Sequence, residues 1–176
     1  MMSGQGMHDG MHGGMRGAVL VELALLLPLL VMLTLATVEF AQALADYKLI
    51  VNQVRSATRY LSTQAAGTSH TEAECLLTHG VLSSSKPCPG TLLLAGFGRS
   101  GFSVAVADAI NAPATHRSQR SSADLTVTSA TTVNLVSVTA SGYQHQLYFS
   151  AFFPGVTGGA PSLEFGPISM TMRQTL

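Results

Sequence analysis

The sequence predicts an α+β protein in which one long N-terminal helix packs on a small antiparallel β-sheet. An apolar run near the N-terminus is long enough for a membrane-spanning helix, and an apolar stripe with helical spacing follows it. Short β-rich runs separated by turns occupy the second half of the chain. The 176 residues suit one modest domain with an appended segment.

Composition narrows the class of protein. Charged residues make up 10% of the chain and hydrophobic residues 47%, so the charged share is well below the usual quarter. The formal net charge is zero, and nothing in it favours a nucleic-acid partner. The apolar excess is concentrated near the N-terminus, which indicates a membrane protein.

Residues 17–38 form the apolar run GAVLVELALLLPLLVMLTLATV, in which Glu22 is the only charged residue. A membrane-spanning helix needs about 20 mainly apolar residues. Pro28 would break a soluble helix, but neighbouring helices accommodate proline in a membrane. We therefore predict a transmembrane helix. The alternatives are a buried core helix, which is normally shorter, and a removable secretory signal with its cleavage site at Ala43-Leu44-Ala45.

The carboxylate inside this run indicates a function. A charged group in an apolar span costs several kcal/mol, so such a residue is a functional hypothesis by default. Arg16 and Gly17 precede the run, and Glu22 is the fifth residue counted from Ala18. In this respect the sequence resembles the type IV pilin superfamily, whose precursors are cut after a glycine on the cytoplasmic side of the run, leaving glutamate at position five.

A more specific resemblance is to the TadE-like family of pilus assembly proteins. It rests on RGAVLVELALLLP, VEFAQAL and NQVRSATRYL, between residue 16 and about residue 61, and it returns in LEFGPISMTMRQ. The resemblance implies a minor pilin or pseudopilin of tight-adherence (Flp-type) pili, not an enzyme, with no cofactor or metal. It implies processing between Gly17 and Ala18, and a role for Glu22 in assembly. The implied partners are a prepilin peptidase, other pilins or pseudopilins, and an inner-membrane pilus assembly platform.

The expected organisation has three parts: a prepilin-type leader at 1–17, a transmembrane helix and amphipathic stem at 18–66, and a small β-rich periplasmic domain at 67–176. The stem carries an apolar stripe in steps of four and three, which we expect to pack on the protein's own domain. Asp46 falls largely off this stripe. Its members are Phe40, Leu44, Tyr47, Val51, Val54, Thr58 and Leu61.

The sequence of the C-terminal part predicts an antiparallel meander of β-strands. Residues 67–101 are rich in Gly, Ser, Thr and Pro and are predicted to be loop. Strands are predicted at 103–107, 124–129, 133–140 and 143–153, with a last one ending near residue 172. The strand at 143–153 alternates, and the residues predicted on one face are Tyr143, His145, Leu147, Phe149, Ala151 and Phe153.

Cys75 and Cys88 lie in the loop-rich segment with twelve residues between them. In an exported domain an even pair at this spacing predicts a disulfide. A zinc site drawn from these cysteines, His70 and His79 matches no usual ligand spacing. A catalytic Cys75 with His79 lacks an orienting third group.

Residues 96–101, GFGRSG, satisfy the G-x-G-x-x-G pattern of dinucleotide-binding proteins. That fingerprint requires a helix to begin directly after it. The sequence that follows, FSVAVAD, is typical of a strand. We therefore interpret the segment as a glycine-rich loop.

Two lines of reasoning disagree about orientation. Counting of positive charges places Arg16 on one flank of the span and Lys48, Arg55 and Arg59 on the other, which favours a cytoplasmic sheet domain. The leader-type junction and the cysteine pair favour a periplasmic domain, and the charge rule weakens when a folded domain follows. We expect a single-pass protein of the bacterial inner membrane with its C-terminal domain in the periplasm. The alternative function is a secreted β-rich binding domain with an ordinary cleaved signal peptide.

The junction between Gly17 and Ala18 generates the first testable prediction. The mature chain is expected to begin at Ala18 and to keep its apolar helix. N-terminal sequencing or intact mass of the protein from the membrane fraction measures this directly. A mature chain beginning at Asp46 would contradict the pilin interpretation and favour the secreted domain.

Overall fold

The computed structural model describes residues 13–116, 133–147 and 162–175, with side chains from residue 17 onward. The chain divides into two compact units, Met1–Ala41 and Gln42–Leu176. Helix α1 runs from Gly13 to Ser62, so its first part belongs to one unit and its second part to the other. This long helix and the small antiparallel sheet confirm the predicted α+β fold class.

The first unit contains the apolar part of α1. The described helix from Gly17 to Ser62 is long and apolar enough to cross a membrane; its most apolar window has a mean hydropathy of 2.6 and is 0% buried. Pro28 lies inside the helix. The hydroxyl groups of Thr34 and Thr37 donate to backbone carbonyls one turn earlier, at 2.8 Å in both cases. These two hydroxyl groups are thereby satisfied within the helix, as a lipid environment requires.

The second unit combines the end of α1 with short helices and strands. Its helices are α2 (His70–His79) and α3 (Pro113–His116), and a 3₁₀ turn lies at Ala95–Gly98. Its strands are β1 (Ser103–Ala107), β2 (Leu135–Ser141), β3 (Gln144–Gln146), β4 (Ser162–Glu164) and β5 (Ile168–Arg173). The predictions for β1, β2 and β5 are confirmed to within two residues.

The described strands form two antiparallel sheets. In the first the order is β1-β2-β5, with β2 in the centre. Val138 of β2 is opposite Val106 of β1 and Met170 of β5. In the second sheet β3 pairs with β4, and His145 is opposite Leu163. Gly142 joins β2 to β3 with φ +73°, and a Cβ there would lie 2.0 Å from the carbonyl oxygen of Gly101, so this turn requires glycine.

The core of the second unit lies between α1 and the first sheet. Val136, Val138 and Ala140 project from one face of β2 and are at most 3% exposed, as expected from the alternation of side chains along a strand. Aromatic and helical residues complete the same cluster, and those from α1 are Ile50, Val54, Ala57 and Leu61. Burying side chains of this kind contributes about 1.5–3 kcal/mol each before entropy is counted.

The predicted stripe on α1 is correct only in its second half. Val54, Thr58 and Leu61 are buried, but Leu44 and Tyr47 are 43% and 45% exposed. Phe40, in the first unit, is also exposed. The buried side of the helix in the second unit begins at Ala43 and continues through Ile50, Val54, Ala57 and Leu61. Small alanines at two of these positions make this side less conspicuous than the large apolar residues beside it.

Helix α2 corrects the prediction of a loop at 67–101. Its buried residues include Ala73 and Leu77, which are one turn apart and belong to the core. Gly80 ends the helix in the left-handed conformation, with its N–H donating to the carbonyl of Leu76, which is a common glycine C-terminal cap. The helix was not predicted because it is only ten residues long and the segment around it has the composition of a loop.

The C-terminal residues close the end of α1. The last carbonyls of a helix have no partner within the helix. The backbone N–H of Thr175 donates to the carbonyl of Ser62 at 3.0 Å. The side-chain amide of Gln174 donates to the carbonyls of Leu61 and Gln64. Residues distant in sequence therefore hold the end of α1 beside β5.

Several predictions concern residues outside the described ranges. They are the strand at 124–129, residues 148–153 of the strand predicted at 143–153, and residues 1–12 of the leader. The described part of the last-named strand, β3, keeps the predicted alternation, because Tyr143 and His145 are buried and Gln144 and Gln146 are more exposed.

Asp108, directly after β1, joins its own loop to the segment around residues 67–70. Its carboxylate accepts backbone N–H groups from Gly67, Ile110 and Asn111 at 2.8–3.0 Å, and His70 Nε2 lies 2.6 Å from Oδ2. Burial acts to raise the pKa of Asp108, but the hydrogen bonds from Asn111, Ile110, Gly67 and His70 outweigh it and lower the pKa to about 2.

The lowered pKa of Asp108 predicts a loss of stability in acid. A carboxyl group with a depressed folded-state pKa stabilises the fold above its unfolded pKa of 3.8 and loses that contribution as the pH falls toward about 2. The loss amounts to no more than about 2 kcal/mol. We expect the unfolding free energy of the full chain in detergent, measured by denaturant titration, to fall over this interval. Asp108→Asn should flatten this part of the curve; a curve identical to that of the wild type would contradict the assignment.

Candidate functional site

The residues predicted to be processed and to direct assembly lie on α1 in the first unit. Gly17, Ala18 and Glu22 are helical and exposed. Ala18 and Glu22 are four residues apart, so they lie on the same face of the helix, about 6 Å apart along its axis at 1.5 Å per residue. Their neighbours on α1 are exposed leucines and valines. This side of the helix therefore carries a single carboxylate in apolar surroundings.

Glu39 lies near the end of the apolar run and is 9% exposed. The two carboxylates of this part of α1 therefore lie in different environments, and only Glu22 is open.

The predicted disulfide is present. Cys75 of α2 and Cys88 of the following loop are bonded, with their Cα atoms 5.4 Å apart, inside the usual range for a disulfide. Neither sulfur remains as a thiolate ligand or nucleophile. His70, the other residue considered for zinc, is paired with Asp108. Lys86 and Glu74 form an ion pair across the same loop at 2.5 Å.

The glycine-rich segment 96–101 has a packing role. It begins in the 3₁₀ turn and leads into strand β1, as the sequence predicted. A Cβ on Gly96 would lie 2.4 Å from the ring of Tyr143, closer than any real side chain approaches. Gly96 thus allows the backbone to lie directly against an aromatic side chain. The G-x-G-x-x-G pattern reflects close packing in this fold.

Tyr143 belongs to a cluster centred on Asp46. The hydroxyl of Tyr143 donates to Asp46 Oδ2 at 2.8 Å, and His145 Nδ1 lies 2.7 Å from the same oxygen. A carboxylate only accepts hydrogen bonds, so Nδ1 carries the proton. Tyr143 and His145 are 5% and 6% exposed. The cluster links the helix α1 to strand β3 inside the second unit.

Aromatic rings pack against the ring of Tyr143 in this cluster. Tyr143 stacks on Phe165 at a centroid distance of 5.2 Å and meets Phe97 edge-on at 5.7 Å. Phe165 also meets Tyr47 of α1 edge-on at 5.8 Å. Such pairs contribute about 0.5–1.5 kcal/mol beyond the area they bury. The position of the Tyr143 hydroxyl is therefore well determined.

A cleft opens beside Asp46. Its volume is about 270 Å³, and its polar lining comes from Gln42, Asp46, Arg99, Gln144, His145 and Gln146. Arg99 Nη2 donates to Gln146 Oε1 at 2.5 Å across one wall. The side-chain cluster therefore borders a concave region with a polar lining.

Sequence reasoning missed Asp46 and Arg99. Asp46 was placed off the apolar stripe, which is correct, but nothing near it in the sequence indicates its partners, since Tyr143 is 97 residues away. The alternation in 143–147 did predict that Tyr143 and His145 share a face. Two buried polar side chains on the inner face of a strand are a sign that a charged partner lies opposite.

The exposed apolar helix, with one open carboxylate near its start, matches a known family over part of its length. The family model described as TadE-like protein matches residues 17–59. This segment is TadE-like.

The TadE-like segment begins at Gly17 and ends within α1, so it contains Ala18, Glu22, Glu39 and Asp46. The resemblance stated from the sequence is confirmed there. No curated protein and no solved structure matches the chain. The disulfide, β3 and Arg99 lie outside the TadE-like segment.

The Asp46 cluster predicts a specific effect of Tyr143→Phe. The change keeps the ring contacts with Phe97 and Phe165 but removes the hydroxyl that donates to Asp46. We expect the unfolding free energy to fall by about 1–2 kcal/mol, since a hydrogen bond to a charged group is lost from a partly exposed carboxylate. Denaturant titration of the full chain in detergent measures this.

Tyr60→Phe is the matched control, because the Tyr60 hydroxyl makes no hydrogen bond to a described residue while its ring also packs against the core. That change should cost less than about 0.5 kcal/mol. Equal losses in the two variants would contradict the role assigned to the Tyr143 hydroxyl.

Proposed function

We propose that this chain is a minor pilin or pseudopilin-like component of a tight-adherence (Flp-type) pilus, inserted through its N-terminal helix. The TadE-like match over residues 17–59 and the exposed apolar helix support the proposal. The protein acts by placing this helix among those of other pilins, not by catalysis. Its partners are a prepilin peptidase, other pilins or pseudopilins, and an inner-membrane assembly platform.

The observation that carries the proposal is the position of Glu22 relative to Ala18. Cleavage after Gly17 leaves a positively charged amino group on Ala18. In an α-helix this group lies one turn before Glu22 and on the same face. An open carboxylate in apolar surroundings requires a partner of this kind, because an unpaired charge in hydrocarbon is costly.

Pairing between Glu22 and the amino group of Ala18, on its own or a neighbouring subunit, sets the axial position of the helix during assembly. The pair adds little net stability, because both charges must leave water. Breaking it leaves the other charge unpaired, which costs about 3–5 kcal/mol when the site is buried. The pair thus specifies the axial position of the helix, because the two charges do not meet when the helix is displaced along its axis.

The disulfide supports a periplasmic C-terminal domain. Such bonds persist in oxidising compartments and are rare in the cytosol. Cys75–Cys88 therefore agrees with the orientation implied by the leader-type junction, against the charge count on the flanks of the span.

The secreted binding domain is less well supported by the geometry. Its cleavage site at Ala43-Leu44-Ala45 lies inside the continuous helix α1. Ala43 is 4% exposed, so a cut after Ala45 would separate a buried residue from the remainder of the unit.

Replacement of Glu22 tests the proposed function. Glu22→Ala should leave membrane insertion intact or make it easier, since a charge is removed from an apolar span. Incorporation into pili should fall by about tenfold or more, because the partner charge is left unpaired. Pilus formation by electron microscopy and co-purification with partner pilins measure incorporation, and membrane fractionation measures insertion.

Leu25→Ala is the matched control, since it shortens another exposed side chain on the same helix without removing a charge. Glu39→Ala removes the second carboxylate of this part of α1 and should affect incorporation less than Glu22→Ala. Normal incorporation of Glu22→Ala would show that the carboxylate does not set the position of the helix.

A further inference from the structure

The cleft beside Asp46 has the features of a small binding site that the pilus role does not use. Only Gln42 and Asp46 among its polar lining residues belong to the TadE-like segment. The volume of about 270 Å³ lies just below the range of about 300–1,000 Å³ found for drug-sized ligands. The cleft therefore suits a ligand of one ring.

Asp46 presents a fixed acceptor to this cleft. The hydrogen bonds from Tyr143 and His145 both end on Oδ2. Oδ1 accepts no hydrogen bond from a described residue, and the side chain is 23% exposed. Because two buried side chains hold the carboxylate, it keeps its orientation without a ligand. Pre-organisation of this kind reduces the entropy lost on binding.

Arg99 supplies donors on the same cleft. One of its amino groups donates to Gln146 Oε1, and a guanidinium carries five N–H donors in all. The remaining donors are available to a ligand. Gln42, exposed on α1, adds an amide that both donates and accepts.

The cleft offers a carboxylate as acceptor and a guanidinium as donor. A ligand with a single charge of either sign meets one group of its own sign, Asp46 or Arg99. An uncharged ligand that donates to the carboxylate and accepts from the guanidinium avoids both repulsions. A hydroxyl group does both.

We propose that this cleft binds a neutral, hydroxyl-rich ligand the size of a single sugar ring. One hydroxyl donates to Asp46 Oδ1, and another accepts from Arg99. Tyr143 and His145 are positioning residues that hold Asp46. The ligand is either a free monosaccharide or one residue of a surface polysaccharide, since both present the same hydroxyl chemistry. This proposal does not depend on the pilus function.

Saturation-transfer NMR on the full chain in a non-glycosidic detergent tests the site. The probes are glucose, galactose, mannose and N-acetylglucosamine at millimolar concentrations, with glucuronate and glucosamine as charged analogues. At least one neutral sugar should give a saturable signal, and its charged analogue a weaker one. Arg99→Gln should weaken binding by about tenfold, as the loss of a charged hydrogen bond predicts. Gln42→Leu, which removes the amide on the exposed face of α1, should also weaken it.

Arg55→Gln is the matched control, because Arg55 is an exposed cation of α1 that does not line the cleft. It should bind as the wild type does. Titration with an oligosaccharide of the sugar that binds distinguishes the two sources: tighter binding of the oligomer identifies a polysaccharide, and equal binding a free sugar. The proposal is overturned if no neutral sugar gives a saturable signal, if a charged analogue binds more tightly, or if Arg55→Gln weakens binding as much as Arg99→Gln.

Discussion

The second unit depends on one contact, the packing of the buried side of α1 against strand β2. Ile50, Val54 and Leu61 meet Val136 and Val138 in a core where each is at most 1% exposed. Hydrophobic burial is the main favourable term in folding, and among the described residues this is where it is concentrated. The strands on either side, β1 and β5, are held to β2 by backbone pairing and add partly buried side chains to the same core. Because the sheet is built around β2, loss of its contact with α1 would leave the remaining strands without a common surface to cover.

The same helix meets a different physical requirement in the first unit. Between residues 17 and 38 it is apolar all round and exposed, which excludes an ordinary soluble surface helix. Its threonine hydroxyls are bonded to its own backbone, and its one open carboxylate is Glu22. A helix of this kind is stable only in lipid or among other apolar helices. In the second unit, α1 has one buried side. The exposed residues of this part of the helix include Lys48, Arg55 and Arg59. One continuous helix thus changes from all-round apolar to one-sided near residue 40, and this change coincides with the division into units.

Local patterns in the sequence predicted the parts of the fold that local physics determines. The length of the apolar run, the β-rich composition of 103–107 and 133–140, and the spacing of two cysteines each rest on neighbours in the chain, and all agree with the structure. Helix α2 was missed because its composition resembles loop, although Ser69, Glu72 and Gly80 stand where helix ends are often marked. The buried side of α1 was misplaced because Ala43 and Ala57 are small, whereas Leu44 and Tyr47 are large but exposed. The Asp46 cluster could not be predicted, because its prediction requires the position of β3 relative to α1. That position depends on tertiary packing and not on any sequence pattern near Asp46.

Polar and covalent anchors become important where apolar burial ends. The segment from α2 to β1 contributes only a few residues to the core, and its composition is that of a loop. There the Cys75–Cys88 bond closes the chain over a separation of 13 residues, which stabilises the fold by about 3 kcal/mol in the chain-entropy model. Asp108 gathers the backbone around 67 and 110–111, and Gln174 secures the end of α1. The ion pair between Lys86 and Glu74 contributes little by comparison, because both side chains are exposed. A small domain has too little interior to stabilise every segment by packing. The segments farthest from β2 are therefore held by a disulfide and by hydrogen bonds, each of which joins specific atoms. The Asp46 cluster follows the same rule, but Oδ1 of its carboxylate accepts no hydrogen bond from a described residue. This oxygen is the acceptor on which the proposed ligand site rests.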